Sequence, residues 1–155
     1  MLVRTNARMT ALGPPPADAP QDPDALAPAL LALAMLGFVE VEGCVVLAAY
    51  ESAARATTVE AAGGETAFEA YVNHVLVDAL LPPDTPPHEV LGQAVHLVRR
   101  LAADLCDVYR GRLFELVVAY GEQCTVRFHT VRPGQRRLPA DLESSGDAVL
   151  VLSVP

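Results

Sequence analysis

The chain contains no lysine, no isoleucine and no tryptophan, and aromatic residues make up only 5% of it. Without lysine there is no Schiff base, no P-loop phosphate lysine and no anchor for pyridoxal phosphate. All eleven basic residues are arginine. Cysteine is scarce and odd in number: Cys44, Cys106 and Cys124 lie far apart, with no C-x-x-C pair for zinc or redox work and no disulfide framework. Reduced thiols are the default for such a chain. Long apolar runs are missing too. The longest, residues 25–38, has 14 residues broken by Pro28 and Gly37, whereas a spanning helix needs about 20. Asp22 and Asp24 stand where a signal peptide would carry a basic segment. The expectation is a cytoplasmic protein with no membrane contact.

What is present describes one folded domain. The 155 residues are 52% hydrophobic, and a domain usually takes about 100–200 residues. Alanine supplies 25 of the apolar positions, so the core falls to 21 Leu and 20 Val. Ala, Gly, Pro and Arg together total 59, which reads as a GC-rich coding sequence and not as a property of the fold.

Charge is unevenly spread. Residues 9–98 hold twelve acids and one base, Arg55, for a net of −11, while residues 99–155 hold eight Arg and seven acids for a net of +1. An acidic half repels phosphate backbones and anionic membranes, so no nucleic acid is expected as a partner. It suits a basic protein.

Residues 1–22 carry Gly and Pro without periodicity and read as a disordered tail, with a short polyproline stretch at Pro14–Pro16. Residues 23–155 read as a single domain. A first helix over 25–36, capped by Asp22 or Asp24 and ended by Gly37, is apolar nearly all round and therefore buried. Strands over 38–41 and 44–50 flank Glu42-Gly43, a hairpin signal. Residues 65–81 form an amphipathic helix, with Phe68, Tyr71 and Val72 on the apolar stripe and Glu69, Asn73 and Asp78 opposite. Thr85 caps a third helix that runs to about Tyr109, its stripe carrying Leu91, Ala94, Val95, Val98, Leu101, Ala102, Leu105 and Val108. Arg100 and Asp104 are spaced to pair across one turn.

Two strands, 113–120 and 124–131, follow. A three-residue loop, Gly121-Glu122-Gln123, pairs Tyr120 with Cys124 and gathers Phe114, Leu116, Val118, Val126 and Phe128 on one face. A one-residue slip would mix both faces, so this register is preferred. Arg132-Pro133-Gly134-Gln135 suits a type II turn, a short helical turn fits 140–143, and 148–154 is a strand apolar on both faces and hence central. The order α-β-β-α-α-β-β-β predicts an α+β domain: a five-stranded, mostly antiparallel sheet with three helices packed largely on one face.

Chemical signatures are few. His74, His88, His96 and His129 have no metal-ligand spacing, and neither a metal nor another cofactor is expected. Cys124 and His129, five apart on one strand, face opposite ways and cannot form a nucleophilic pair. Nucleophile-elbow, dinucleotide and Walker patterns are absent, and the chain carries no catalytic signature. Two surfaces remain. One is acidic: Glu40, Glu42, Glu69, Asp78 and Glu89. The other is the arginine-rich C-terminal hairpin, where Glu115 faces His129 with Arg127 beside them and Arg132, Arg136 and Arg137 follow; guanidinium groups suit carboxylate or phosphate recognition.

Three functions are consistent with this pattern. The first is a protein-binding module of immunity, secretion-chaperone or adaptor kind that recruits a basic partner electrostatically. The second is an enzyme or small-molecule or anion-binding domain using Glu115, Arg127 and His129, which requires a concave pocket over that sheet face, clear of helices. The third is a structural or assembly subunit with a large apolar interface. The oligomeric state is open.

Overall fold

A computed structural model of the chain describes residues 1–15, 25–135, 138 and 141–155. Its centre is a five-stranded sheet in the order β1 (Leu2–Thr5), β7 (Ala148–Val154), β5 (Phe114–Tyr120), β6 (Cys124–Thr130), β4 (Val75–Leu76), with every neighbouring pair antiparallel. A separate hairpin joins β2 (Phe38–Val41) to β3 (Cys44–Leu47). The described residues also form six α-helices, α1 (Ala7–Leu12), α2 (Pro28–Met35), α3 (Glu51–Arg55), α4 (Val59–Ala62), α5 (Glu65–Val72) and α6 (Pro87–Val108), and three 3-10 turns, Ala48–Tyr50, Asp78–Leu80 and Leu142–Ser144. The class is α+β, as the sequence pattern predicts.

The main core lies on one side of the sheet. Leu91, Ala94, Val95, Val98, Leu101 and Leu105 of α6 pack on Leu116, Val118, Val126, Phe128, Leu150 and Leu152, and α2 adds Leu30 and Leu33. Each such Leu, Val or Phe contributes about 1.5–3 kcal/mol by leaving water. Phe38 meets Phe128 edge-on at 5.6 Å. The β5–β6 register is the expected one, with Tyr120 opposite Cys124 and Glu115 opposite His129. The hairpin turn holds Glu42 and Gly43 at φ 51° and 78°; a two-residue turn of this kind needs positive φ at both positions, which favours glycine. Arg100 and Asp104 pair at 2.7 Å.

Several local expectations change. Residues 2–12, expected within a disordered tail, form β1 and α1: β1 pairs along β7, and Met9 is fully buried. Pro16, Asp22 and Asp24 lie outside the described residues. The first hairpin does not join the main sheet. Val45 and Leu47 point into the main core while Val41, Cys44 and Val46 join Phe68 and Val72 in a second cluster, so the hairpin is buried on both sides between two packing layers. Its place in the sheet is taken by β1 and the two-residue β4. The helix expected over 65–81 stops at Val72, because Asn73 turns inward and Val75–Leu76 pair with β6. On α5, Phe68 and Val72 are buried as expected, but Glu69 is buried too and Tyr71 is 65% exposed, each opposite to its expected side. Thr85 does not cap α6; its hydroxyl donates to Pro82 O, and Val108 at the far end is exposed. β7 is an interior strand, second from the edge, with β5 at the centre. Among the described residues, no helix is long and apolar enough to cross a membrane.

Candidate anion-binding site

With α6 and α2 on one face, the other face of the sheet is left to side chains that alternate with the core. Val117, Val149 and Val151 form a small apolar cluster there with Leu142, and Leu138 packs on it. Beside them lies a cavity of about 330 Å³, within the size range of small-ligand sites. Val117, Ala119 and Val149 make its floor, Arg127 and His129 its polar wall, and Leu142, Ser144, Ser145 and Asp147 its rim. Among the described residues no α-helix lines it, and the 3-10 turn Leu142–Ser144 forms part of its rim.

His129 is 2% exposed. Its Nε2 lies 3.4 Å from Glu115 Oε2, and Glu115 Oε1 accepts from Arg4 Nη2 at 3.0 Å. Arg4 is opposite Val151 and Val117 is opposite both Val151 and Arg127, so these strands set Arg4, Glu115, His129 and Arg127 on one face. Burial holds the imidazole below its usual pKa; Glu115 and Glu69 pull the other way and Arg132 reinforces the depression. The ring is therefore neutral near pH 7. With Nε2–H turned to the carboxylate, Nδ1 is left as a lone pair, shut off from solvent and with no hydrogen-bond partner among the described residues. A buried polar atom without a partner costs about 1–3 kcal/mol. His74, whose pKa is lowered by burial and then by Arg127, sits near the same guanidinium.

The rim is held from a distance. Asn6, between β1 and α1, donates to Leu142 O at 3.3 Å and to Asp147 O at 2.8 Å, and accepts from Val149 N and Met9 N, each at 3.0 Å. Ala7 N donates to Glu143 Oε1 at 2.8 Å. Opposite the rim, Gly121 passes so close to Asp147 that a Cβ there would collide with the carboxylate. Sequence reasoning missed Asn6. The residue lies in the stretch read as a tail, and its partners at the rim and on β7 are over 130 residues away.

The other arginine candidates fare differently. Arg132 is locked in a bidentate pair with Glu69, at 2.8 and 2.9 Å, and approaches Glu65 at 3.3 Å. The hydrogen bonds to Glu69 hold its pKa up. It is a partner of a buried carboxylate and is not presented to a ligand. Arg136 and Arg137 lie outside the described residues.

The expected acidic surface is thinned. Glu69 is fully buried and accepts from Val45 N, Thr130 N and the Thr130 hydroxyl at 2.6–3.0 Å besides Arg132. It cannot meet a partner. Asn73, one turn on, accepts from Leu47 N and donates to Val45 O, both at 2.9 Å, so α5 pairs the outer edge of β3 with side chains instead of a strand. Glu40 pairs with Arg112 at 3.0 Å and Asp78 accepts from Cys124 N at 2.6 Å. Glu42 and Glu89 are exposed. Burial first, then nearby carboxylates, pushes the Cys44 thiol up to about 11 and Cys124 to about 12, and burial also raises Cys106. Among the described residues, no group of His, Cys, Asp and Glu is arranged to hold a metal ion.

A protein-family profile, described as the Uncharacterized protein PM0498 family, matches residues 17–155, and the chain belongs to that family. β1, α1 and the rim contact Asn6 precede the matched stretch. No curated protein and no solved structure matches the chain.

Proposed function

We propose that this member of the family is a binding protein for a small oxyanion, a carboxylate or a phosphate, held in the cavity between β5, β6, β7 and residues 141–147. The observation that carries the reading is that Arg127 and His129 both line a cavity that, among the described residues, no α-helix lines. A guanidinium donates two parallel hydrogen bonds to an oxyanion, and Glu115 brings no uncompensated charge because Arg4 pairs with it. A cytoplasmic setting belongs to the same proposal; the three cysteines are free thiols in the fold. Titration calorimetry against millimolar phosphate, acetate and citrate tests it, with Arg127→Gln as the comparison. Saturable binding that the variant weakens is expected; no binding, or binding the variant leaves unchanged, would overturn it.

A second reading keeps the acidic surface. Glu42 at the exposed tip of the β2–β3 hairpin and Glu89 in the first turn of α6 offer carboxylates to a basic protein. Such a partner would be steered electrostatically, so its association rate should fall steeply with salt. A flat rate from low to high salt removes this reading.

A further inference from the structure

Resting on the anion-binding reading, we infer that the pocket's ligand is a zwitterion: a carboxylate held at Arg127, an ammonium held at Asp147 and an apolar chain between them along the sheet face. Strand register places the two charges. Val117 and Ala119 of β5 and Gly121 just beyond it follow at two-residue spacing, so they share one face. Val117 has Arg127 beside it on β6, Ala119 has Val149 beside it on β7, and Gly121 lies against the carboxylate of Asp147. The cavity, which Arg127, Val117, Ala119, Val149 and Asp147 all line, thus runs from a guanidinium over an apolar floor to a carboxylate. Gly121 makes room for that carboxylate. Its φ is not positive, so the backbone does not require glycine there, yet a Cβ would collide with Asp147 Oδ1.

This pattern suits a dipolar molecule better than a bare anion. Glu115 is answered by Arg4, and His129, kept neutral by burial, adds no charge. Asp147 is exposed and belongs to none of the ion pairs among the described residues. Arg127 has an interaction of its own within the chain, but a guanidinium carries five donors and serves a ligand alongside it. A bare phosphate at Arg127 would leave the Asp147 carboxylate unanswered and the valine floor without an apolar partner. A zwitterion meets both charges, and its chain covers Val117 and Val149. From Val117 to Gly121 is four residues of strand, about 13 Å. Ends that far apart call for charges several bonds apart, as in an ω-amino acid or a short peptide with free termini, whereas an α-amino acid carries both on one carbon. The volume of about 330 Å³ accommodates either.

Calorimetry with the full chain at pH 7 compares ε-aminocaproate with caproate, which has the same chain and carboxylate but no ammonium. The wild type should bind ε-aminocaproate about tenfold or more tightly, and Asp147→Asn should bring the two within about twofold. Equal affinities for the wild type would overturn this inference and leave the anion site standing; binding of neither would overturn both. A preference that survives in Asp147→Asn would place the ammonium elsewhere, and leucine binding as tightly as ε-aminocaproate would refute the separated charges. Should Asp147→Asn fail to fold, amide NMR of the wild type probes the same contact: Gly121 and Asp147 should shift with ε-aminocaproate and not with caproate, and still resonances with both contradict the proposal. Glycylleucine separates the two sources. Tighter binding than ε-aminocaproate assigns the site to a peptide with free termini, weaker binding to an ω-amino acid.

Discussion

Strand β6 and its continuation carry two buried polar clusters only a few residues apart, and they are built to opposite ends. At Thr130 and Arg132, the carboxylate of Glu69 receives five hydrogen bonds from two backbone amides, a hydroxyl and a guanidinium. Nothing is left over, and no ligand is needed. At Arg127 and His129 the wall opens on a cavity, and one ring nitrogen is buried without a hydrogen bond. The first cluster joins the β2–β3 hairpin to the sheet; the second leaves His129 Nδ1 without a hydrogen bond. Burial of a charged group does not mark a functional site. The proposed site is set apart by a buried nitrogen without a hydrogen bond in a residue that lines a cavity.

The contrast can be broken at either cluster, and the largest effect belongs to the satisfied one. Glu69→Ala leaves Arg132 and three other donors without their acceptor, so chemical denaturation should show a loss of about 3–5 kcal/mol. A loss under about 1 kcal/mol would mean the cluster is ordinary surface electrostatics. Arg127→Gln should cost less stability than Glu69→Ala while lowering anion affinity about tenfold or more, the contribution of a charged hydrogen bond. Equal affinity for wild type and variant would merge the two clusters into one structural role. Asn6→Ala frees the rim at Leu142 and Asp147; it should cost about 1–3 kcal/mol and weaken ligand binding together, whereas an effect on stability alone would detach the rim from the site.

The smallest effect is on pH dependence. His129 titrates lower in the folded state than its unfolded value of 6.5, so below that value the unfolded chain binds more protons and stability falls as pH drops toward the folded pKa. His129→Phe should make the decline between pH 6.5 and the folded value shallower. His74 shifts in the same direction and retains its own share. A variant as steep as the wild type would contradict the neutral, buried imidazole.

Much of the frame was legible because period-two alternation is a local signal. The strict pattern from Phe114 to Phe128 admits one register, and the structure has it. With that register came the placement of Glu115, His129 and Arg127 on one face. What stayed hidden was non-local. Val75–Leu76 is too short to show any period, and β1 has no alternation in the sequence to distinguish it from a tail. Glu69 and Asn73 look like the solvated side of a helix until the unpaired edge of β3 is brought against them. Asn6 is invisible for the same reason, since its partners are backbone atoms of Leu142, Asp147 and Val149.

Amide NMR of the uniformly labelled protein titrated with inorganic phosphate tests the central claim most directly, because both clusters and the acidic hairpin tip report in one spectrum. Shifts should saturate and concentrate at Val117, Arg127, His129 and residues 144–147, with Val45, Thr130 and Glu42 nearly still. Shifts centred on Arg132 or on the hairpin tip, or none at all, would contradict it.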